Sequence, residues 1–536
     1  MKKTVSLILC VLLLAALLAG CAQKDGSSSS GNKELAIKDE SLHSDYVTDD
    51  NARVFYEIFV GSFSDSDGDG IGDLRGIINR MDYLNDGDPD SGKSLGVEGI
   101  WLTPIFKSPS YHKYDVTDYY TIDPKFGTME DLQELIDLCH ERNVKLILDL
   151  VINHTGNQNQ WFSDFVVAHR QGKTDSDAYN FYSWHGPDNN GLSEHRYAQI
   201  SGTNDFYECN FDNAMPELNY DSPAVRQAVL DVAKFYIDMG IDGFRFDAAK
   251  YIYFGDNSES AKFWVWYLDE LRKLKPDIYT VAEVWDSDGV TDYYYPATNC
   301  FNFSVSQAEG MIASTAKAGD VGSYASYVES YIDHVHTLNA KAMYVPFIAN
   351  HDNDRAAGFL TVASGQMKIA ANLYILGPGS PFIYYGEEIG MKGSRGGSNT
   401  DANRRLAMVW NDGDTVANPS GANYNSKLEA GVAEQIGDEN SLYTYYKRLI
   451  MIRKANPEIA RGEYTAVSIP GSKAGGFLAT WKGSTVLVLH NTSNSSVTID
   501  LSPYGVSTLS AFIGVESASL DGTTLTLGGQ TSAVLR

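Results

Sequence analysis

The sequence predicts an α/β fold, a (β/α)8 TIM barrel with a subdomain inserted after its third strand and an all-β domain at the C-terminal end. Three observations carry this. Between about residue 50 and residue 455, eight short runs of β-branched and aromatic residues alternate with stretches whose apolar residues recur at helical spacing. The alternation is interrupted once, over 155–221, by a segment rich in Asn, Gly, Trp, Tyr and Asp that is long for a loop and has no clear helix. Past residue 457 the helical period gives way to closely spaced alternating strands. A doubly wound open sheet is the competing layout, but no glycine-rich dinucleotide turn follows the first strand.

The chain begins with Lys2 and Lys3, an apolar run from Val5 to Leu18 and a small-residue ending, which is the pattern of a signal peptide over 1–20. The run is short for a membrane span. Its ending LAGC resembles the bacterial lipobox, which implies lipidation at Cys21 and an exported protein anchored at the membrane on the outer side of the cell. The segment 21–45, containing QKDGSSSSGN, reads as a flexible polar tether. Cys10 and Cys21 apart, only Cys139, Cys209 and Cys300 remain; an odd number far apart predicts buried thiols rather than a disulfide framework.

The barrel then occupies 46–154 and 222–457 around the insert, with 458–536 as the terminal domain. Its strand candidates are VFYEIFV (54–60), GIWLTPI (99–105), KLILDLVI (145–152), GFRF (243–246), IYTVAEVW (278–285), FNFSV (301–305), AMYVPFIA (342–349) and PFIYYG (381–386). Helical spacing appears in DLQELIDLCHERN (131–143), SPAVRQAVLDVAKFYIDMG (222–240) and QMKIAANLYIL (366–376). The terminal domain contributes GFLATW, STVLVLHN, SVTIDL and TLTLGG.

Charge narrows the partner. With 69 acidic against 42 basic residues the net charge is -27, which argues against nucleic acid and fits a neutral or cationic partner. Tyrosine, at 33 residues, suits surfaces that stack on a ring and hydrogen-bond at once, as sugar sites do. A monomer is expected.

Residues 65–73 read DSDGDGIGD, alternating acids and glycines that suit a hard cation such as Ca2+. An EF-hand loop closes on a bidentate glutamate at its twelfth position; counted from Asp65 that position is Gly76, so the loop is calcium-like without being a sensor. The expected ligands are Asp65, Asp67, Asp69, Asp73 and the carbonyl of Ile71.

In barrels of this kind reactive residues sit at the C-terminal ends of strands. In GFRFDAAK, Arg245 and Asp247 are two apart and share one side of the strand, while Phe244 and Phe246 point to the other. An arginine beside an aspartate favours the carboxylate form a nucleophile needs. The fifth run ends with Glu283, and the seventh run is followed by His351 and Asp352. Two carboxylates flanking a glycosidic bond are the minimum for its hydrolysis, and a third nearby raises the acid's pKa.

The segments GIWLTPIF, DLVINH, MPELN, GFRFDAAK, EVW, FIANHD and GEEIGM are similar, in order, to the sequence blocks of the α-amylase family of glycoside hydrolases, and to its neopullulanase-like and intermediate members at MPELN. The resemblance runs from about residue 50 to the C-terminus and implies that the last domain is a β-sandwich. It also implies Asp247 as nucleophile, Glu283 as acid then base, Asp352 as transition-state stabiliser, and retention of configuration, which requires the two reacting carboxyls about 5 to 5.5 Å apart. On the same basis His154 and His351 hydrogen-bond the sugar in the cleavage subsite, Arg245 orients Asp247, Tyr114 gives a stacking floor and Asp115 a hydroxyl contact. Lys250 then meets an acceptor sugar and Arg355 a donor sugar, and Asp149 supports the strand end. The residues following Asp247 resemble α-1,4-acting members, so starch and related α-glucans are the implied substrates, with exo-glucosidase or transglycosylase action as the alternative. A glycan-binding protein that has lost catalysis would lack a carboxylate, and all three are present. In the insert, Trp161, Phe162, Tyr182 and Trp184 serve either as sugar platforms or as a local core.

Overall fold

The computed structural model describes residues 35–39, 42, 47 and 49–536, apart from 363–364, 397, 426–427 and 429. The expected signal peptide, over 1–20, and Cys21 lie outside the described residues. Seven parallel strands form the barrel wall: β1 (Phe55–Ile58), β2 (Gly99–Leu102), β3 (Lys145–Leu150), β4 (Gly243–Phe246), β5 (Tyr279–Ala282), β6 (Asn299–Cys300) and β7 (Phe382–Tyr384). Their spatial order is β6-β5-β4-β3-β2-β1-β7.

Two sequence expectations need correction here. The run 342–349 makes only single parallel bridges, Val345 to Phe301 and Phe347 to Phe382, although these two bridges close the cylinder between β6 and β7. Pro346 lies between the bridging residues and has no N–H to continue a ladder. The sixth strand sits before FNFSV: Asn299 and Cys300 pair with Val281 and Ala282, and the chain turns after Phe301.

Side chains alternate across each strand. Tyr56, Ile58, Ile100, Leu102, Phe244 and Phe246 therefore pack outward with the helices, while Phe55, Trp101, Ile147, Tyr279, Val281, Phe301 and Phe382 fill the lumen. The Phe55 ring stacks on Tyr279 and Phe382 at centroid separations of 4.6 and 4.7 Å. Gly99 makes room for it, since a Cβ there would lie 2.4 Å from the ring. Above this apolar plug the next inward positions are Glu57, Asp149 and Arg245, so the polar layer of the barrel rests on a dry floor.

The helices begin and end where their residues dictate. Pro223–Met239 starts after Ser222 with proline in its first turn and stops at Gly240, whose φ of 109° suits only glycine. Met129–Glu141 opens with a capping box between Thr128 and Asp131. The insert holds a helix that its composition did not announce, Gln160–Gln171, capped by the Asn159 side chain and closed by Gly172 in the left-handed region. Phe162, Phe165 and Ala168 bury one face of it, and Phe162 meets Tyr182 edge to face at 5.2 Å. The rest of the insert includes a three-stranded sheet of Trp184–His185, Phe206–Glu208 and Tyr197–Gln199.

The C-terminal domain is a sandwich of a six-stranded and a three-stranded antiparallel sheet around Leu487, Leu489, Ile499, Leu525 and Leu527. Ala36–Lys38, inside the stretch read as tether, adds an edge strand to the larger sheet by pairing with Phe512–Gly514. Cys139, Cys209 and Cys300 are buried and free. Among the described residues no helix is long and apolar enough to cross a membrane.

Candidate active site

At the C-terminal mouth of the barrel one guanidinium gathers three carboxylates. Arg245 Nη1 donates to Asp149 Oδ1 (2.7 Å) and to Asp247 Oδ1 (2.8 Å), and Nη2 lies 2.9 Å from Glu283 Oε2. Arg245 and Asp149 are buried, whereas Asp247 and Glu283 line an open cleft of about 660 Å³. The backbone helps. Ala248 adopts a left-handed conformation with φ 48°, which is strained for a residue with a Cβ, and its N–H donates to Glu283 Oε2 at 3.1 Å.

Asp352 enters from the segment after the seventh station. Its Oδ2 is 3.0 Å from His351 Nε2 and its Oδ1 accepts from Arg405 Nη2 at 2.6 Å. His351 also places Nδ1 2.6 Å from Glu57 Oε1. Burial alone would strip His351 of its proton, but the charges of Asp352 and Glu57 outweigh it and push its pKa up to about 10. For Asp352 burial works the other way and is overcome by His351, Arg405 and Arg245, so it is held well below the usual carboxylate range.

The other acids move up. Burial dominates at Glu283, opposed by Arg245 and reinforced by the charges of Asp247 and Asp352. Asp247 is raised for the same first reason and drawn back by Arg245. Asp149 is pushed to about 7, burial again exceeding the pull of Arg245. Five carboxylates, those of Glu57, Asp149, Asp247, Glu283 and Asp352, face three cations, Arg245, Arg405 and protonated His351. Excess negative charge in the cluster works with burial to favour the protonated form of its raised acids, the direction a general acid requires.

The predicted residues divide into those in the cleft and those behind it. Tyr114, His154, Asp247, Lys250, Glu283 and Asp352 line the cleft. Tyr114 stacks on His351 (5.5 Å, 11°) and its hydroxyl donates to Asp149 Oδ2 at 2.9 Å. His154 is buried with Nε2 unpartnered, and burial lowers its pKa to about 4, leaving a neutral ring. Lys250 Nζ holds the carbonyl of Trp285 and Asp286 Oδ2.

Three predicted sugar contacts are not placed in the cleft. His351 is fully buried with both nitrogens engaged, so it supports Asp352 and Tyr114 from beneath. Asp115 is buried and accepts from the hydroxyls of Ser108 and Ser110. Arg355 is 2% exposed, donates to the carbonyls of Tyr385 and Arg404, lies over the rings of Tyr384 and Tyr385, and keeps Nη2 without a hydrogen-bond partner.

Sequence reasoning missed Arg405, Tyr111, His112 and Asp401, all of which line the cleft. Tyr111 and His112 lie within three residues of Tyr114, which was expected at the site. His112 Nδ1 accepts from the N–H of Tyr114 at 3.1 Å, and burial lowers its pKa to about 4. Arg405 comes from the long segment after β7, whose irregular pattern gave no signal.

In the acidic loop, carboxylate oxygens of Asp65, Asp67 and Asp73 lie within 4.8 Å of one another. Asp69 stands outside this group, its Oδ1 accepting from the N–H of Ile71 at 2.7 Å. Asp73 also caps the helix Leu74–Asn79. The donor set is all oxygen and suits a hard cation.

A carboxylate trio in a cleft at the C-terminal mouth of a barrel supplies the acid and nucleophile that a glycoside-cleaving enzyme needs. The comparisons resolve the class further. Residues 57–462 match the family described as alpha amylase, catalytic domain, and the chain belongs to that family. It is 36% identical to alpha-amylase 3 of Dictyoglomus thermophilum over 82% of this chain and 84% of that one. It is 31% identical to an oligo-1,6-glucosidase of Parageobacillus thermoglucosidasius over 77% and 85%. The solved structure of Eubacterium rectale Amy13B superposes with a TM-score of 0.84 at 33% identity, covering 93% of this chain and 97% of that one.

Proposed function

We propose that the protein cleaves α-1,4-glucosidic bonds of starch, maltodextrin and related α-glucans with retention of configuration. The observation that carries the reading is the single guanidinium of Arg245 shared by Asp247 and Glu283, which holds both carboxyls at one wall of the cleft. Asp247 attacks the anomeric carbon while Glu283 gives its proton to the departing glycosidic oxygen, forming a β-glucosyl ester on Asp247. Glu283, now a carboxylate, takes a proton from the incoming water, and the ester opens by a second inversion. Asp352, kept ionised by His351 and Arg405, hydrogen-bonds ring hydroxyls as positive charge grows on the sugar. NMR of the fresh products on amylose tests this: α-anomers first support it, and β-anomers first overturn it.

The likeness to an oligo-1,6-glucosidase favours a second reading on the same machinery, exo-acting glucosidase or transglycosylase action. Mid-length products appearing at once from long maltodextrin mean endo cleavage, and glucose or transfer products alone mean the second reading. Two further roles complete the proposal. The acidic loop holds one Ca2+ through Asp65, Asp67 and Asp73, with Asp69 and the Ile71 carbonyl as the remaining candidates; calorimetry showing no calcium uptake would refute it. Cys21 carries lipid that keeps the enzyme at the outer cell surface, and a Cys21→Ser chain that stayed with the membrane fraction would refute that.

A further inference from the structure

We propose that Arg355 is a positioning residue for the reaction: buried outside the cleft, it fixes the loop that carries Arg405, and through Arg405 it sets the orientation of Asp352. This rests on the role given to Asp352 above and extends it to a residue set back from the sugar. The Arg355 guanidinium joins two parts of the chain. Nη1 donates to the Tyr385 carbonyl at 2.6 Å, just past β7, and Nε donates to the Arg404 carbonyl at 3.0 Å. The next residue is Arg405, whose Nη2 holds Asp352 Oδ1 at 2.6 Å.

Three consecutive carbonyls of this loop are pinned. That of Arg404 accepts from Arg355 and from the Tyr384 hydroxyl (3.0 Å), that of Arg405 from Ser62 Oγ (2.8 Å), and that of Leu406 from the Tyr385 hydroxyl. The loop clasps the catalytic segment in return: Arg404 Nη1 donates to the Asp352 carbonyl at 2.6 Å, and Arg405 Nε to the His351 carbonyl at 3.0 Å. An earlier stretch of the same long segment closes on Arg355, whose N–H donates to the Gly393 carbonyl at 2.9 Å. The fit there is tight, since a Cβ at Gly393 would lie 2.0 Å from the Asn403 carbonyl oxygen.

Packing alone does not account for a guanidinium here. Burying one costs free energy that an apolar side chain of similar volume avoids, and what the planar fork adds is a bridge between two carbonyls at fixed separation. Asp352 is faced by His351, Arg405 and Arg245, by the acids Asp247 and Glu283, and by His112 and Tyr114. Arg355 instead acts on the charges of Glu387 and Glu388, so its route to Asp352 is the placing of Arg405.

The test is kcat/KM on one maltodextrin across pH for the full chain carrying Arg355→Met, Arg405→Met or both, beside wild type. Arg355→Met is expected to lower kcat/KM roughly three- to ten-fold. It also moves the acidic limb upward, as Arg405→Met does, because a less firmly held Asp352 takes its proton at higher pH. In the Arg405→Met background the same substitution is expected to change kcat/KM by less than about two-fold and to leave the limb in place, since the group it positions is gone. Tyr384→Phe takes one hydroxyl from the same Arg404 carbonyl and keeps the ring, so it carries the test in both backgrounds if Arg355→Met fails to fold. An unmoved limb overturns the proposal, and so does a loss of equal size with and without Arg405, which is what a purely structural role gives. If Arg405→Met itself leaves the limb in place, the role of Asp352 falls and the proposal with it; a limb that moves with Arg405 but not with Arg355 removes the positioning role alone.

Discussion

Replacing Arg405 with methionine isolates what ionises Asp352. The substitution keeps an unbranched apolar stem where Arg405 lies over the rings of Phe59 (5.4 Å) and Tyr111 (5.6 Å), and it removes the charge. Asp352 then loses the 2.6 Å charge-assisted hydrogen bond from Nη2 and keeps His351 at 3.0 Å together with the charge of Arg245. Such a bond contributes about 1.5 to 3 kcal/mol, and if that stabilisation is expressed in the transition state kcat/KM falls roughly ten- to hundred-fold. The pH profile moves too. Asp352 works as the carboxylate, and its depressed pKa keeps it active as pH falls; with Arg405 gone the carboxyl protonates at higher pH, so the acidic limb of kcat/KM shifts upward. Steady-state kinetics on one maltodextrin across pH measure both effects. An Arg405→Met enzyme with kcat/KM within about two-fold of wild type and an unmoved acidic limb would refute the reasoning.

Three more outcomes are expected. Lys113→Met leaves Asp123, buried and paired at 2.8 Å in the native chain, without its counter-charge, and costs about 3 to 5 kcal/mol in urea unfolding; a smaller change than about 1 kcal/mol would show the pair to be dispensable. Burial lowers His154 and His112 to about 4 and His490 to about 3 from an ordinary 6.5, so the folded state disfavours their protons. Each therefore contributes roughly 3 kcal/mol or more that is present above the unfolded value and lost as pH falls from 6.5 toward the folded value. A His490→Gln chain loses less stability over that window, and an identical slope would count against it. Chelation with EDTA lowers Tm by an amount set by calcium affinity, about 2.7 kcal/mol of stability at a hundred times Kd, while the product ladder stays the same; an unchanged Tm argues that the acidic loop binds nothing.

Strand positions were legible because a buried parallel strand is a short β-branched or aromatic run, and β1 to β5 fall inside the runs read from the sequence. The seventh station failed as a strand because Pro346 interrupts hydrogen bonding without altering apolar character, so the pattern alone overstates it. The insert helix was hidden because Phe162, Phe165, Ala168 and His169 are flanked by a composition typical of loops. At the site, strand alternation placed Arg245 and Asp247 on the mouth side, and the geometry agrees. Depth was not legible: nothing in HD or NDR tells that His351 and Arg355 are buried while Asp352 faces the cleft. Arg405 was unreadable because irregular loops carry no period, and its pairing with Asp352 exists only once the long segment after β7 folds back.

The most direct test of the mechanism is to catch the ester. The full chain carrying Glu283→Ala, which lacks the base that activates water for the second step, is incubated with a fluorinated glucosyl fluoride, and its peptides are analysed by mass spectrometry. A glucosyl unit on the peptide containing Asp247, absent when Asp247 is changed to Asn, is the predicted result; a protein that turns the reagent over with no covalent adduct, or carries it on another residue, would contradict the account.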